Sequence, residues 1–373
     1  MLTKMTVFKR IIVYLLLLLI SFFMSLSQVS GQIPISDKAK EIIKMYDEGK
    51  AKLKLYYGEP FIKYEYMFLD NEGLNMPTGV QYNHITNEVV VFDGGNRCIY
   101  IFSSDGKFKM KIGRPGQGPG EFMFPCLLTI DYKGNIYAYD GIRMQIFSKD
   151  GKLIGTFRKK MSNTMFPRIF VSFDDEIIMN NFSDSCYISV YNKTGELVKK
   201  LGNIDFKNKK EAIYHAREGI AFKGINKKYY VFLPHLDEIR IYYENGLLYK
   251  KISYLDAVEK TGIKTMEPVP GKKGTYEIEY TLTDVNYYNG NIFVLPNVPS
   301  NPDKPEMLYI FNHDLELVGK YSFGVYISEY GGMLTSQFDF FLKFDVNYGI
   351  NEIEMFLPYK YSAEIIKYRF KLK

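Results

Sequence analysis

The sequence contains no tryptophan, and only three cysteines and four histidines in 373 residues. Each shortage excludes something. Tryptophan is the preferred platform for stacking sugars and anchoring interfaces, so its absence counts against a sugar-stacking role. Cys98, Cys126 and Cys186 contain no C-x-x-C pair, and an odd number cannot pair fully within one chain. They are expected to be buried thiols on strands. His84, His215, His235 and His313 stand in no zinc-ligand spacing with one another or with cysteine. Concentrated positive charge is scarce as well. The formal net charge is +6, and it falls to +3 once Lys4, Lys9 and Arg10 of the leader are set aside. The densest basic run, "KNKK" (Lys207–Lys210), reads as a solvated loop. No nucleic-acid partner is expected.

A leader is present. "MLTKMTVFKR" is basic, "IIVYLLLLLISFFM" (Ile11–Met24) is apolar, and "SLSQVSGQ" places Val29 and Gly31 suitably for cleavage before Gln32. That is the pattern of a secretory signal peptide, with retention as a membrane anchor as the alternative. No cysteine follows the leader closely, so a lipid anchor on a mature N-terminal cysteine is excluded. "SDKAKEIIKMYDEGK" (Ser36–Lys50) reads as a short helix capped by Ser36. The expected organisation is a signal peptide over 1–31, a helix and linker over 32–60, and one domain over 61–373.

That domain repeats. "IYIFSSDGKF" (from Ile99), "MQIFSKDGKL" (Met144), "ISVYNKTGEL" (Ile188), "IRIYYENGLL" (Ile239) and "LYIFNHDLEL" (Leu308) are each an apolar run, a polar turn and a further strand. Asp105-Gly106, Asp150-Gly151 and Asn245-Gly246 are tight-hairpin signals; the fifth turn has lost its glycine. A second strand series precedes these: "NEVVVFD", "GNIYAYD", "DEIIMNN", "KKYYVFL", "GNIFVLP" and "NEIEMFLP". A looser third series precedes that one, and includes "TLTDVNYY" and "FFLKFDVNY". A period of about 40 to 60 residues is that of propeller blades. The predicted fold is all-β: a six-bladed β-propeller. Its last blade lacks a clear fourth strand, and "FIKYEYMFL" (Phe61–Leu69) is expected to supply it and close the ring.

One stretch, "GRPGQGPGEF" (Gly113–Phe122), has the composition of a phosphate cradle. A phosphate loop would end in Gly-Lys-Ser/Thr and open a helix. Here Gly120 is followed by Glu121 and Phe122, and then by a strand. The segment is read instead as a crossing from the rim of one blade to the inner strand of the next. It is not expected to hold a nucleotide.

The unit "IGRPGQGPGEFMFPCLLTIDYKGNIYAYDGIRMQIFSKDGKL" (Ile112–Leu153) resembles an NHL repeat. The resemblance lies in a glycine-rich linker ending GPG-E-F, then Pro, then D-x-x-G-N-I-Y, an Asp, and a closing I-F-x-x-D-G-K. The chain looks like the exported six-bladed propellers of gut-type Gram-negative bacteria, many of them lipoproteins. It departs from those by lacking the lipobox cysteine. NHL-like propellers include a zinc lyase acting on peptide derivatives, and related six-bladed folds include calcium-dependent lactonases. Fold alone transfers neither activity. The lyase histidines are not matched, no motif supports calcium, and no metal or cofactor is expected.

Antiparallel order separates the loops. Tight turns fall on one face; inter-blade linkers and second-to-third-strand loops fall on the other, where function is expected. That long-loop face should carry Asp93, Arg97, Asp140, Arg143, Arg168, His215, Arg217 and His235. Asp93/Asp140 and Arg97/Arg143 repeat, and repetition favours a structural task. The other four do not repeat and are the better site candidates. His84 and His313 are assigned to the short-turn face. The expected function is an exported, non-catalytic binding or scaffold propeller of the cell envelope. Its partner would be a peptide, glycan or protein, and a membrane only if the leader is kept. The alternative is a metal-dependent hydrolase or lyase at the central pore.

Overall fold

The computed structural model describes residues 59–62, 74–123, 127–158, 168–179, 186–205, 219–258, 266–268, 276–278, 282–296, 306–323, 326–327, 333–334, 345–349, 352–359 and 364–371. The leader and the helix expected over 36–50 lie outside them. The chain divides into two units, 1–50 with 327–333, and 51–326 with 334–373; the propeller is the second.

Six four-stranded antiparallel sheets form the blades. Blade 1 is Pro77–Asn83, Glu88–Asp93, Cys98–Ser103 and Phe108–Ile112. Blade 2 is Leu127–Ile130, Ile136–Tyr139, Arg143–Phe147 and Leu153–Arg158. Blade 3 is Ile169–Val171, Ile177–Met179, Cys186–Tyr191 and Leu197–Asn203. Blade 4 is Ile220–Lys223, Tyr229–Leu233, Glu238–Tyr242 and Leu248–Ile252. Blade 5 is Leu282–Tyr288, Asn291–Pro296, Glu306–Phe311 and Leu317–Phe323. Blade 6 is Asp345–Tyr348, Glu352–Tyr359 and Glu364–Lys371, completed on its outer edge by Glu59–Ile62. The inner strands neighbour one another around the whole ring, blade 6 returning to blade 1.

The closing strand is N-terminal, as expected, but it begins earlier than Phe61. Glu59 pairs with Lys367 and Pro60 with Ile366, and a register shift follows before Ile62 meets Ile365. Residues 63–69 of the expected strand lie outside the described residues.

The core is a ring rather than a centre. Six clusters of buried side chains each join two adjacent blades, from Val90, Phe92, Leu128 and Ala138 between blades 1 and 2 to Val89, Val91, Phe356 and Ile365 between blades 6 and 1. Alternate residues of Glu88–Asp93 therefore enter different clusters, and the whole strand is buried. A strand covered on both faces reads as a continuous apolar run, which explains "EVVVFD". Tyrosines fill this ring, and several satisfy their hydroxyls: Tyr230 donates to the His313 carbonyl, and Tyr137 to Asp131. Cys98 and Cys186 are buried free thiols.

The hairpins between third and fourth strands in blades 1 to 5 are three-residue loops rather than two-residue ones. In the first, Ser103 N–H donates to Lys107 O and Gly106 N–H to Ser103 O, with Gly106 at φ +85°. That is a type I turn with a left-handed residue and a bulge, and the ladder shifts between Ile101 and Phe102. Gly151, Gly195 and Gly246 repeat it. At the fifth turn Leu315 takes the left-handed place, at φ +64°. Its side chain is buried in the cluster between blades 4 and 5, and that burial offsets the strain.

Candidate functional site

The inner strands end together at the axis, and a cavity of about 110 Å³ opens there on the short-turn face. Its lining takes a residue from every blade: Gln81, Thr129, Phe170, Phe222, Asn286 and Asp345. Toward the long-loop face a smaller cavity, of about 20 Å³, lies beside Arg168 and Asp284 among the described residues. There Arg168 Nε donates to Asp284 Oδ1 at 2.9 Å, and a second guanidinium nitrogen lies 2.8 Å from the same oxygen. Blades 3 and 5 are not adjacent, so this buried pair crosses the channel and narrows it. The cavity is a socket on the short-turn side.

The ionisable groups of the socket are already engaged. Asp345 Oδ2 accepts the Tyr82 N–H at 2.6 Å, and Oδ1 accepts the Val346 N–H at 2.7 Å and the Asn286 amide. Burial pushes its carboxyl up to about 7, and nearby Asp284 adds to this, while the N–H donors pull it down. Lys223 is buried among Asp174, Glu176 at 3.1 Å and Glu244 at 2.8 Å. These carboxylates hold its pKa above the usual lysine range against the opposing effect of burial. Asp131 closes its own turn by accepting Lys133 N–H, Asn135 N–H and the Asn135 amide. His84 stacks on Tyr288 with ring centroids 3.5 Å apart. Burial lowers its pKa to about 4, so the ring is neutral at neutral pH.

Several polar atoms facing this space have no hydrogen-bond partner among the described residues: Thr129 Oγ1 and the hydroxyls of Tyr132 and Tyr288. The Gln81 amide nitrogen donates to the Val80 carbonyl, and its oxygen accepts no hydrogen bond from the described residues. Tyr132 stands at the mouth, 38% exposed.

The sequence candidates divide. Asp93 and Asp140 are buried turn caps. Asp93 accepts the N–H groups of Asn75, Met76 and Asn96. Asp140 accepts those of Ile142 and Arg143 and pairs with Arg143 Nε at 3.1 Å. Arg143 also donates to the carbonyls of Gly118 at 2.7 Å and Glu121 at 2.9 Å, which fastens the inter-blade crossing. Arg97 is exposed in its turn at φ +52°. Arg168, a binding candidate because it does not repeat, reaches the axis as a partner of Asp284. His235 sits on the 3-10 turn Pro234–Leu236 of the long-loop face. His215 and Arg217 lie outside the described residues. The axial residues were overlooked, although one signal pointed to two of them. "DVNY" occurs at Asp284–Tyr287 and again at Asp345–Tyr348. In both copies the Asp caps the N–H of the following Val and turns toward the channel.

The glycine-rich crossing is internally satisfied. Gly116 N–H donates to Phe122 O, Gly118 N–H to Glu121 Oε2, and Gly120 N–H to Gln145 Oε1. Phe122 is fully buried against Phe92 and Phe147. These three amides are thus donated to acceptors of the protein itself.

Among the described residues no group of three or more His, Cys, Asp or Glu is placed to hold a metal ion. Residues 77–289 match a family model described as a 6-bladed beta-propeller. No curated protein matches the chain. Among solved structures, it is similar to a Bacteroides fragilis protein described as a candidate exported protein (14% identity, TM-score 0.51, 87% of this chain and 98% of that one). It is also similar to a member of the duf4221 family from Bacteroides vulgatus (10% identity, TM-score 0.50, 86% and 97%). At these identities the likeness speaks for the fold.

Proposed function

The chain belongs to the DUF5128 family of six-bladed β-propellers, and we propose that it works by binding. In this reading it is an exported propeller of the cell envelope that holds part of a glycan, peptide or envelope protein in its axial socket and turns nothing over. The leader supports export, as does the likeness to a protein described as a candidate exported one.

The observation that carries the reading is the state of the charged groups at the axis. Acid–base or nucleophilic catalysis needs a group that is free to accept or donate a proton at the substrate. Asp345, Asp284, Asp131, Lys223 and Arg168 are each held by protein partners. Binding needs only a concave surface and unpaired polar atoms, and the socket supplies both. Of the candidates on the long-loop face, Arg168, Arg143, Asp93 and Asp140 are occupied in holding the fold, and the socket is proposed as the site in place of that face.

The test is a thermal-shift screen of the purified protein against glycans, peptides and small metabolites, with lactone and ester hydrolysis measured in parallel. A ligand-dependent rise in Tm, unchanged by a chelator and without turnover, is expected. Hydrolysis that disappears on chelation would replace this reading with the metal-dependent one.

A further inference from the structure

We propose that the axial socket is a subsite for one neutral pyranose ring, stacked on Tyr132 and hydrogen-bonded from the wall of the channel. This rests on the binding reading above and names the ligand class for the same cavity.

Charge comes first. An anionic ligand needs a free cation, and the lysine of this cavity, Lys223, is locked by Asp174, Glu176 and Glu244. His84 is held neutral by burial. A phosphate or carboxylate would also enter beside Asp345 and Asp131. A cationic ligand needs an available carboxylate, but both oxygens of Asp345 and those of Asp131 are taken by N–H and amide donors. The socket is therefore charged in content but neutral in what it offers.

What it offers is hydroxyl chemistry beside an apolar face. Thr129 Oγ1 and the hydroxyls of Tyr132 and Tyr288 can each donate and accept, and the Gln81 oxygen accepts. Such groups match a ligand whose own groups both donate and accept, which is the property of sugar hydroxyls. Apolar walls come from Phe170 and Phe222, whose rings pack on each other at 5.7 Å between centroids. Tyr132 is different. It is 38% exposed and makes no ring contact with the described residues, so part of the ring is accessible for C–H stacking. A pyranose pairs one apolar C–H face with a rim of hydroxyls, and this placement suits it. Tyrosine thus fills the role that the absence of tryptophan seemed to remove.

The probes are methyl glycosides of glucose, galactose, N-acetylglucosamine and xylose, set against glucuronate, inorganic phosphate, choline and phenylalaninamide. Saturation-transfer NMR and calorimetry on the purified protein read the binding. At least one neutral glycoside is expected to bind and the charged probes to bind at least tenfold more weakly. Tyr132→Ala should weaken the glycoside tenfold or more with an unchanged Tm. Tyr132→Phe should keep most of the affinity, and Thr129→Val should lower it a few-fold. Preference for a charged probe or for phenylalaninamide, binding by none of the glycosides, or equal glycoside binding by Tyr132→Ala would overturn the ligand class. A ligand of another class that raises Tm in the screen would leave the binding reading standing, whereas turnover of any probe would remove it.

Discussion

Asp345 shows how one residue at the axis can couple the ring to pH. Its carboxyl is fully enclosed, and burial raises it to about 7 although three N–H donors favour the ionised form. In the unfolded chain it would titrate near ~3.9. A raised acid binds its proton more tightly in the folded state. Its contribution is therefore fully present below pH ~4 and is lost as pH rises through about 7. Asp345→Asn keeps an oxygen for one set of donors and removes the titration. The difference in Tm between Asp345→Asn and the parent protein should move in favour of the variant from pH 4 to pH 8. Melts across that range check this, and a constant difference would show that Asp345 does not titrate there.

Among the elements, the crossing Gly113–Phe122 carries the sharpest expectation. A Cβ on Gly113 would lie 2.4 Å from Phe122 Cε2 and 2.8 Å from the Gly120 carbonyl, at φ +82°. Neither neighbour can give way cheaply, because Phe122 is wedged between Phe92 and Phe147. Gly113→Ala should cost about 1–3 kcal/mol, read by urea denaturation. An unchanged midpoint would mean that the crossing is slack. The same element shows what could be read in advance. Blade boundaries were legible because Gly-Pro crossings and Asp-Gly turns demand particular backbone angles, and those demands are written in residue type. The hairpin subtype was less so: Asp-Gly fits both two- and three-residue loops, and the bulge after Ile101 decided it. The axial site was the least legible. Gln81, Thr129 and Asn286 meet only because six strand ends converge, and no single segment carries that information. Arg168 was singled out as a binding candidate by its lack of repetition, while its partner Asp284 lay in a tetrapeptide that does repeat.

For the whole molecule, closure is the feature on which every inter-blade cluster depends. A ring of six blades has as many interfaces as blades, and removing one join turns a closed array into an open one with two free ends. The join here is not a full blade but the short strand Glu59–Ile62, set on the outer edge of Glu364–Lys371 in blade 6. It ties the beginning of the propeller to its end, so separating blades 6 and 1 also requires breaking its pairing. The cluster of Val89, Val91, Phe356 and Ile365 spans the same seam. The strand should therefore contribute more to cooperativity than its length suggests. Removing residues 1–62 is expected to lower Tm by several degrees and to broaden the transition, because the seam can then open before the other interfaces. The Glu364–Lys371 edge would also lose its cover and present free N–H and C=O groups, so light scattering should show faster aggregation on heating. If the truncated protein melts at the parental temperature with the same urea m-value, the seam is held by the apolar cluster alone and the strand only covers an edge.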